Sequence, residues 1–195
     1  MSHRPATARH GRNAAWDVSK ASWHSSRSAS SLKKKHKLKT NVEIPDTSPN
    51  PPLTDDLLGE VERTLGVKLP ASYVNLMRRW NGGPWESHVF PLSRYPDPGN
   101  HWLKWDEIEV RGLAGISTDS GEHYSIAGSP STIREWGLPK GLVLLDYLGS
   151  KWIALDYSKR PDPSVVLVEP DEGRKVFLGD DFGQFLGRLV PVKYD

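Results

Sequence analysis

Apolar residues in the stretch after Leu53 recur every fourth position, at Leu57, Val61 and Leu65. That spacing stacks them on one face of a helix. Thr54 stands where a capping hydroxyl belongs, and Asp55 and Asp56 suit the positive end of the helix. Gly66 predicts its stop. Pro70 fits the first turn of a second helix, which carries Tyr73, Leu76, Met77 and Trp80. Asn81-Gly82-Gly83-Pro84 should end it, since the glycines permit positive φ and the proline blocks continuation.

The period is then lost. Residues 84–105 hold Pro84, Pro91, Pro96, Pro98 and Gly99, and read as a loop that also carries Trp85, Trp102 and Trp105. Residues 106–116 predict a short strand around Ile108, Val110, Leu113 and Ile116. Residues 117–130 are polar and contain glycine, as a long loop would, and Ile133 to Trp136 suggest one helical turn. The clearest strands come late. The apolar runs Leu142 to Tyr147 and Trp152 to Tyr157 are separated by Leu148-Gly149-Ser150-Lys151, a hairpin signal. Val165 to Val168 and Lys175 to Leu178 make a second pair across Glu169-Pro170-Asp171-Glu172-Gly173. Asp180 and Asp181 offer an N-cap to a last helix striped by Phe182, Phe185, Leu186 and Leu189. This order predicts an α+β domain over residues 53–195: a mainly antiparallel sheet flanked by two N-terminal helices and one C-terminal helix.

Composition changes the picture at the N-terminus. Residues 1–45 are rich in Ser, Arg, Lys, His and Ala and poor in bulky aliphatics, too poor to offset their ordering entropy by burial. They predict a disordered basic tail, joined to the domain by a stiff, proline-rich linker at residues 46–52. Residues 1–50 hold ten Lys or Arg against three Asp or Glu, a net charge of +7; residues 51–195 hold sixteen against twenty-one, a net −5. The sequence pI near 8.8 thus belongs to the tail. The run Lys33-Lys34-Lys35-His36-Lys37-Leu38-Lys39 is the one segment with chemistry for nucleic acid, and a weak one; it reads more readily as a solvated tail without a partner.

Cysteine is absent, which excludes a disulfide framework, a thiolate zinc site and a cysteine nucleophile, and fits a reducing compartment. No apolar run approaches the roughly 18 residues that cross a bilayer. The first 25 residues lack the apolar core of a secretory signal, so the expected location is the cytoplasm, with no membrane partner.

Catalytic patterns are missing too. There is no Gly-x-x-x-x-Gly-Lys-Ser/Thr, His-Glu-x-x-His or Gly-x-Ser-x-Gly. Ser120 and His123 are close in sequence, but a triad is assembled in space. His88, His101 and His123 show no ligand spacing with Asp97, Asp119 or Glu122 and read as surface or loop residues, so neither a metal nor a cofactor is expected. Asp146 and Asp156 fall at what look like matching ends of adjacent strands, where a carboxylate pair could do acid–base work or simply close turns.

Three stretches resemble the SMI1/KNR4 (SUKH) family. Leu69-Pro70-Ala71-Ser72-Tyr73, running to Trp80-Asn81-Gly82-Gly83, is similar to its leucine-proline, tyrosine and asparagine-glycine-glycine signature. Leu145 to Tyr157 resembles its central hairpin, in which a glycine turn precedes a strand ending in Leu-Asp. Asp181-Phe182-Gly183-Gln184-Phe185-Leu186 resembles its terminal helix, with Gly183 and Gln184 where acidic residues are usual. The resemblance implies binding rather than catalysis, in an immunity protein that neutralises a cognate toxin, such as a nuclease or deaminase. The alternative it leaves is a regulatory scaffold or signalling module.

Against that background the tryptophans stand out. Trp80 and Trp152 fall on apolar faces and predict core. Trp85, Trp102 and Trp105 lie beside Asp106, Glu107 and Glu109, and these six are the candidate partner-binding residues. Large aromatic rings anchor interfaces, and carboxylates beside them would complement a basic toxin. The other reading folds the rings back over the core.

Overall fold

The computed structural model describes residues 42–94, 106–121 and 124–192. Helix α1 (Asp55–Leu65) starts where Thr54 Oγ1 accepts the Leu57 amide at 3.2 Å, and ends at Gly66 in the left-handed region. Helix α2 (Ala71–Met77) is shorter than its apolar pattern suggests. Pro70 precedes it as an extended N-cap rather than sitting in its first turn, and the helical residues stop before Trp80. At Gly82 the chain reaches φ 76, and a Cβ there would lie 2.3 Å from the Gly115 nitrogen. Two backbones cross at this point, and only glycine leaves room.

Strand β1 (Gly83–Pro91) follows immediately, where the sequence suggested a loop. Pro84 and Pro91 mark its ends instead of excluding it. A slip in register between Pro84 and His88 breaks the period-two alternation that would have revealed it. Strand β1 is the middle of a three-stranded antiparallel sheet. On one side lies β2 (Glu107–Leu113), with Phe90 opposite Ile108; on the other lies the short β7 (Val190–Pro191), with His88 opposite Pro191.

The second sheet is the expected pair of hairpins. Its strands β3 (Leu142–Tyr147), β4 (Trp152–Asp156), β5 (Ser164–Glu169) and β6 (Arg174–Gly179) pair in sequence order, all antiparallel. Alternate residues face two different cores. Val143, Leu145, Ile153, Leu155, Val165 and Leu167 join the main core with Val61, Tyr73, Phe90, Val110, Phe182 and Phe185. Leu142, Leu144, Trp152, Ala154, Val166 and Val168 form a smaller one with Leu138 and Ile133. A sheet covered on both faces needs nearly continuous apolar strands, which is what the sequence has. Helix α3 (Ser129–Glu135) belongs to the smaller core and is longer than the single turn expected. Helix α4 (Phe182–Arg188) starts on Asp181, whose side chain accepts the Gln184 amide at 2.8 Å. The α+β class and the placement of the first two helices and the last are as the sequence indicates.

The N-terminal boundary differs. Residues 46–52 are not a free linker, and the packed chain begins before residue 46. Val42 is buried in the main core. Trp80 Nε1 donates to the Thr47 carbonyl at 2.9 Å, and Ser48 Oγ to that of Gly82 at 2.8 Å. Asn50 Nδ2 reaches the carbonyls of Asn81 and Tyr124, each at 2.8 Å. Asn81 in turn donates to Pro51 and Ile116 and accepts the Ile116 amide. The prolines keep this strap extended, and side chains of the domain satisfy the backbone groups that an extended segment leaves open.

Candidate partner-binding site

Strand β2 reads Glu107-Ile108-Glu109-Val110-Arg111, and the alternation decides its faces. Ile108 and Val110 are buried in the main core, Glu107 and Arg111 are exposed, and Glu109 is half-buried. The strand is the outer member of its sheet. The Asp106 carbonyl accepts from the Ser93 amide at 3.2 Å, and the Val110 carbonyl from Trp85 Nε1 at 3.0 Å. Even-numbered residues therefore turn their peptide groups toward β1. Peptide groups alternate in direction along a strand, so those of Glu107, Glu109 and Arg111 face away from β1.

Part of that outward edge is covered. Just past the end of the strand, the Ala114 amide donates to the Leu145 carbonyl of β3 at 2.6 Å. Beside it, Asp146 sits where β3 slips register; its Oδ1 accepts the Tyr147 amide at 2.9 Å, and the Arg111 amide also favours its charged form. Burial outweighs these bonds and pushes the Asp146 carboxyl up to about 7. Toward Glu107 the edge opens into a groove of about 390 Å³, with Glu107, Ile108, Glu109 and Arg111 on one wall and the β3–β4 turn, from Tyr147 to Lys151, on the other.

The charges of this groove are unequally satisfied. Glu109 pairs with Arg111 at 2.7 Å, and hydrogen bonds from Arg111 and Ser87 hold its carboxyl below the usual range. Lys151 pairs with the buried Glu169 at 3.2 Å. Asp106 and Glu107 are exposed and have no ion pair among the described residues.

The structure thus places Glu107 and Glu109 on one side of β2, with Asp106 immediately before the strand. Trp85 is elsewhere. It is 7% exposed and stacks on Trp80 at 5.5 Å, so it takes the reading in which the ring covers the core. Trp102 and Trp105 lie outside the described residues. Two aromatics that the sequence reading passed over, Trp136 and Tyr147, are 45% and 43% exposed. Both contact Trp152, at 4.9 and 5.1 Å between ring centroids. The available signal was that three aromatic rings bracket one hairpin and the end of one helix.

Other candidates change role. Asp146 and Asp156 are not neighbours, because in an antiparallel hairpin the ends of consecutive strands point opposite ways. Asp146 stands near the turn, and Asp156, opposite Leu142, stands at the far end. Burial favours the neutral form of Asp156, but the Lys175 ammonium at 2.8 Å and Ser158 outweigh it and lower its pKa. His88 is not a loop or surface residue: it is 2% exposed on β1, with Nδ1 2.6 Å from the Glu86 carbonyl. Asp119 accepts the Gly121 amide, while Asp97, His101, Glu122 and His123 lie outside the described residues. Among the described residues no helix is long and apolar enough to cross a membrane. Residues 52–188 match the SMI1 / KNR4 family (SUKH-1). No curated protein matches the chain.

Proposed function

The chain belongs to the SMI1/KNR4 family, and from that premise we propose that it is a non-catalytic immunity protein that binds a cognate toxin and occludes it. The observation that carries this reading is the edge of β2, where the exposed carboxylates of Asp106 and Glu107 lack ion-pair partners among the described residues, beside an open groove. Uncompensated negative charge at a rim accelerates encounter with a basic partner, such as a toxin that processes nucleic acid. Aromatic side chains anchor the complex once formed. Trp102 and Trp105 precede Asp106 closely in the chain and enter the reading from sequence. Trp85 supports the edge from inside the core through its bond to Val110.

Binding kinetics against the product of the adjacent gene test the reading. Neutralising Asp106, Glu107 and Glu109 should slow association by about tenfold, and added salt should mimic the change. Trp102→Ala and Trp105→Ala should instead speed dissociation. Wild-type kinetics in all folded variants would remove this edge as the interface. Failure of the native protein to bind any neighbouring product would favour the regulatory scaffold.

A further inference from the structure

We infer that the outward edge of β2 at Glu107 and Glu109 receives an extended segment of the partner protein as an added strand, with a Lys or Arg of that segment opposite Glu107. This rests on the protein-binding reading above and specifies its mode.

The geometry distinguishes this edge from the others. Strand β7 is only two residues long and one of them is Pro191, so it offers little ladder. The β3 edge faces the other sheet, through Leu145 and Asp146. Strand β6 begins with Arg174 and Lys175, and its Leu178 carbonyl already accepts from Arg188 at 2.9 Å. Cations and covered carbonyls are the usual means of blunting an edge. On β2, Asp146 and Leu145 cover the end near Arg111 and Ala114, and the groove begins where that cover stops. Its width is bounded by the β3–β4 turn, where Gly149 presents no side chain.

An added strand gains its affinity from main-chain hydrogen bonds and its specificity from side chains placed at alternate positions. Glu107 and Glu109 stand on one face of β2 at that spacing. Arg111 occupies Glu109, so Glu107, with Asp106 beside it, is the carboxylate left to choose the occupant. A second copy of the same edge is disfavoured, because carboxylates would face carboxylates across the new pair. A cationic, extended segment fits both the backbone and the charge.

The test uses the full ¹⁵N-labelled chain and end-blocked seven-residue peptides. One alternates lysine and valine, a second has alternate backbone nitrogens methylated, and a third carries glutamate for lysine. The lysine peptide should shift the Glu107, Glu109 and Gly149 amide signals and slow exchange of the first two by at least about tenfold, as ladder formation requires. Methylation should abolish this, since it removes main-chain donors while keeping the side chains. Glu107→Lys, at an exposed position, should reverse the preference between the lysine and glutamate peptides. Equal binding of the methylated peptide, an unchanged preference in Glu107→Lys, or no change at the Glu107 and Glu109 amides would overturn strand addition. A toxin that binds without protecting those two amides would also overturn it while leaving the binding function standing. Peptides that add to β2 while no neighbouring product binds would uphold the edge and sink the toxin reading.

Discussion

In the four-stranded sheet each strand pairs with its neighbour in sequence across a short turn, whereas in the three-stranded sheet β1 pairs with a strand near the C-terminus and its flank is closed by a strap from the N-terminus. The first sheet is buried on both faces and its registry is local. The second depends on contacts that close long loops: Asn50 with Asn81, Gly82 against Gly115, Ala114 with Leu145. Closing long loops costs entropy before any contact rewards it. The sheet that is harder to assemble is also the one that, among the described residues, presents an unpaired edge, and the locally paired sheet serves as its platform.

The comparison predicts separable failure. The largest effect is expected from Gly115→Ala, whose Cβ would lie 1.9 Å from the Asn81 carbonyl oxygen. Nothing flexible can give way, so the loss should be on the order of 4 kcal/mol, above the ordinary range for overpacking. Native-state hydrogen exchange should show protection falling in β1 and β2 before β4 and β5. Equal loss in both sheets would mean that they unfold as one unit.

A smaller effect is expected where the sheets meet. The Asp146 carboxyl ionises near 3.8 in its ordinary state and at about 7 in the fold. Between those values the folded chain keeps a proton that the unfolded chain has released. Stability therefore rises as pH falls from 7 toward 4, and the full penalty of the buried charge is present above 7. Asp146→Asn should stabilise the protein by about 3 kcal/mol at pH 8, with the gain fading toward pH 4. Denaturant titrations at the two pH values check the sign and the window.

The smallest effect concerns the strap. Deleting residues 1–41 should leave stability unchanged, but deleting 1–45 removes the buried Val42 and the packed Ile44 and should lose about 2 kcal/mol. Equal midpoints for the two truncations would restore the boundary at residue 46.

The same contrast explains what the chain discloses. Hairpins β3–β4 and β5–β6 were legible because turn residues and apolar runs lie side by side, and the capping side chains of Thr54 and Asp181 act within three residues. Strand β1 was hidden by two prolines and a register slip, and β7 has too few residues for any period. The strap reads as a linker because prolines forbid helix, yet its partners, Trp80 and Asn81, stand some thirty residues away. The acidic half of the groove could be seen in Asp106-Glu107-Ile108-Glu109. Its other wall, Tyr147 to Lys151, could not, since only folding brings a turn forty residues on beside β2. Exposure of Trp136 and Tyr147 likewise depends on what else covers Trp152, which no spacing encodes.

Asn81 bears on how this protein ages. An asparagine followed by glycine is the sequence most prone to deamidation, because the next backbone nitrogen can attack the side-chain amide and close a succinimide ring; such asparagines are thermolabile. In the fold, Asn81 Nδ2 is held by two carbonyls, Oδ1 by the Ile116 amide, and Gly82 is fixed at φ 76. The reacting atoms are kept from closing the ring while the clasp is shut. Once opened and hydrolysed, the residue becomes a carboxylate, with no N–H to offer Pro51 or Ile116 and a charge to set against their oxygens. The chemical clock at this bond thus runs on time spent unfolded, and each tick leaves a chain without the amide that clasps Pro51 to Ile116.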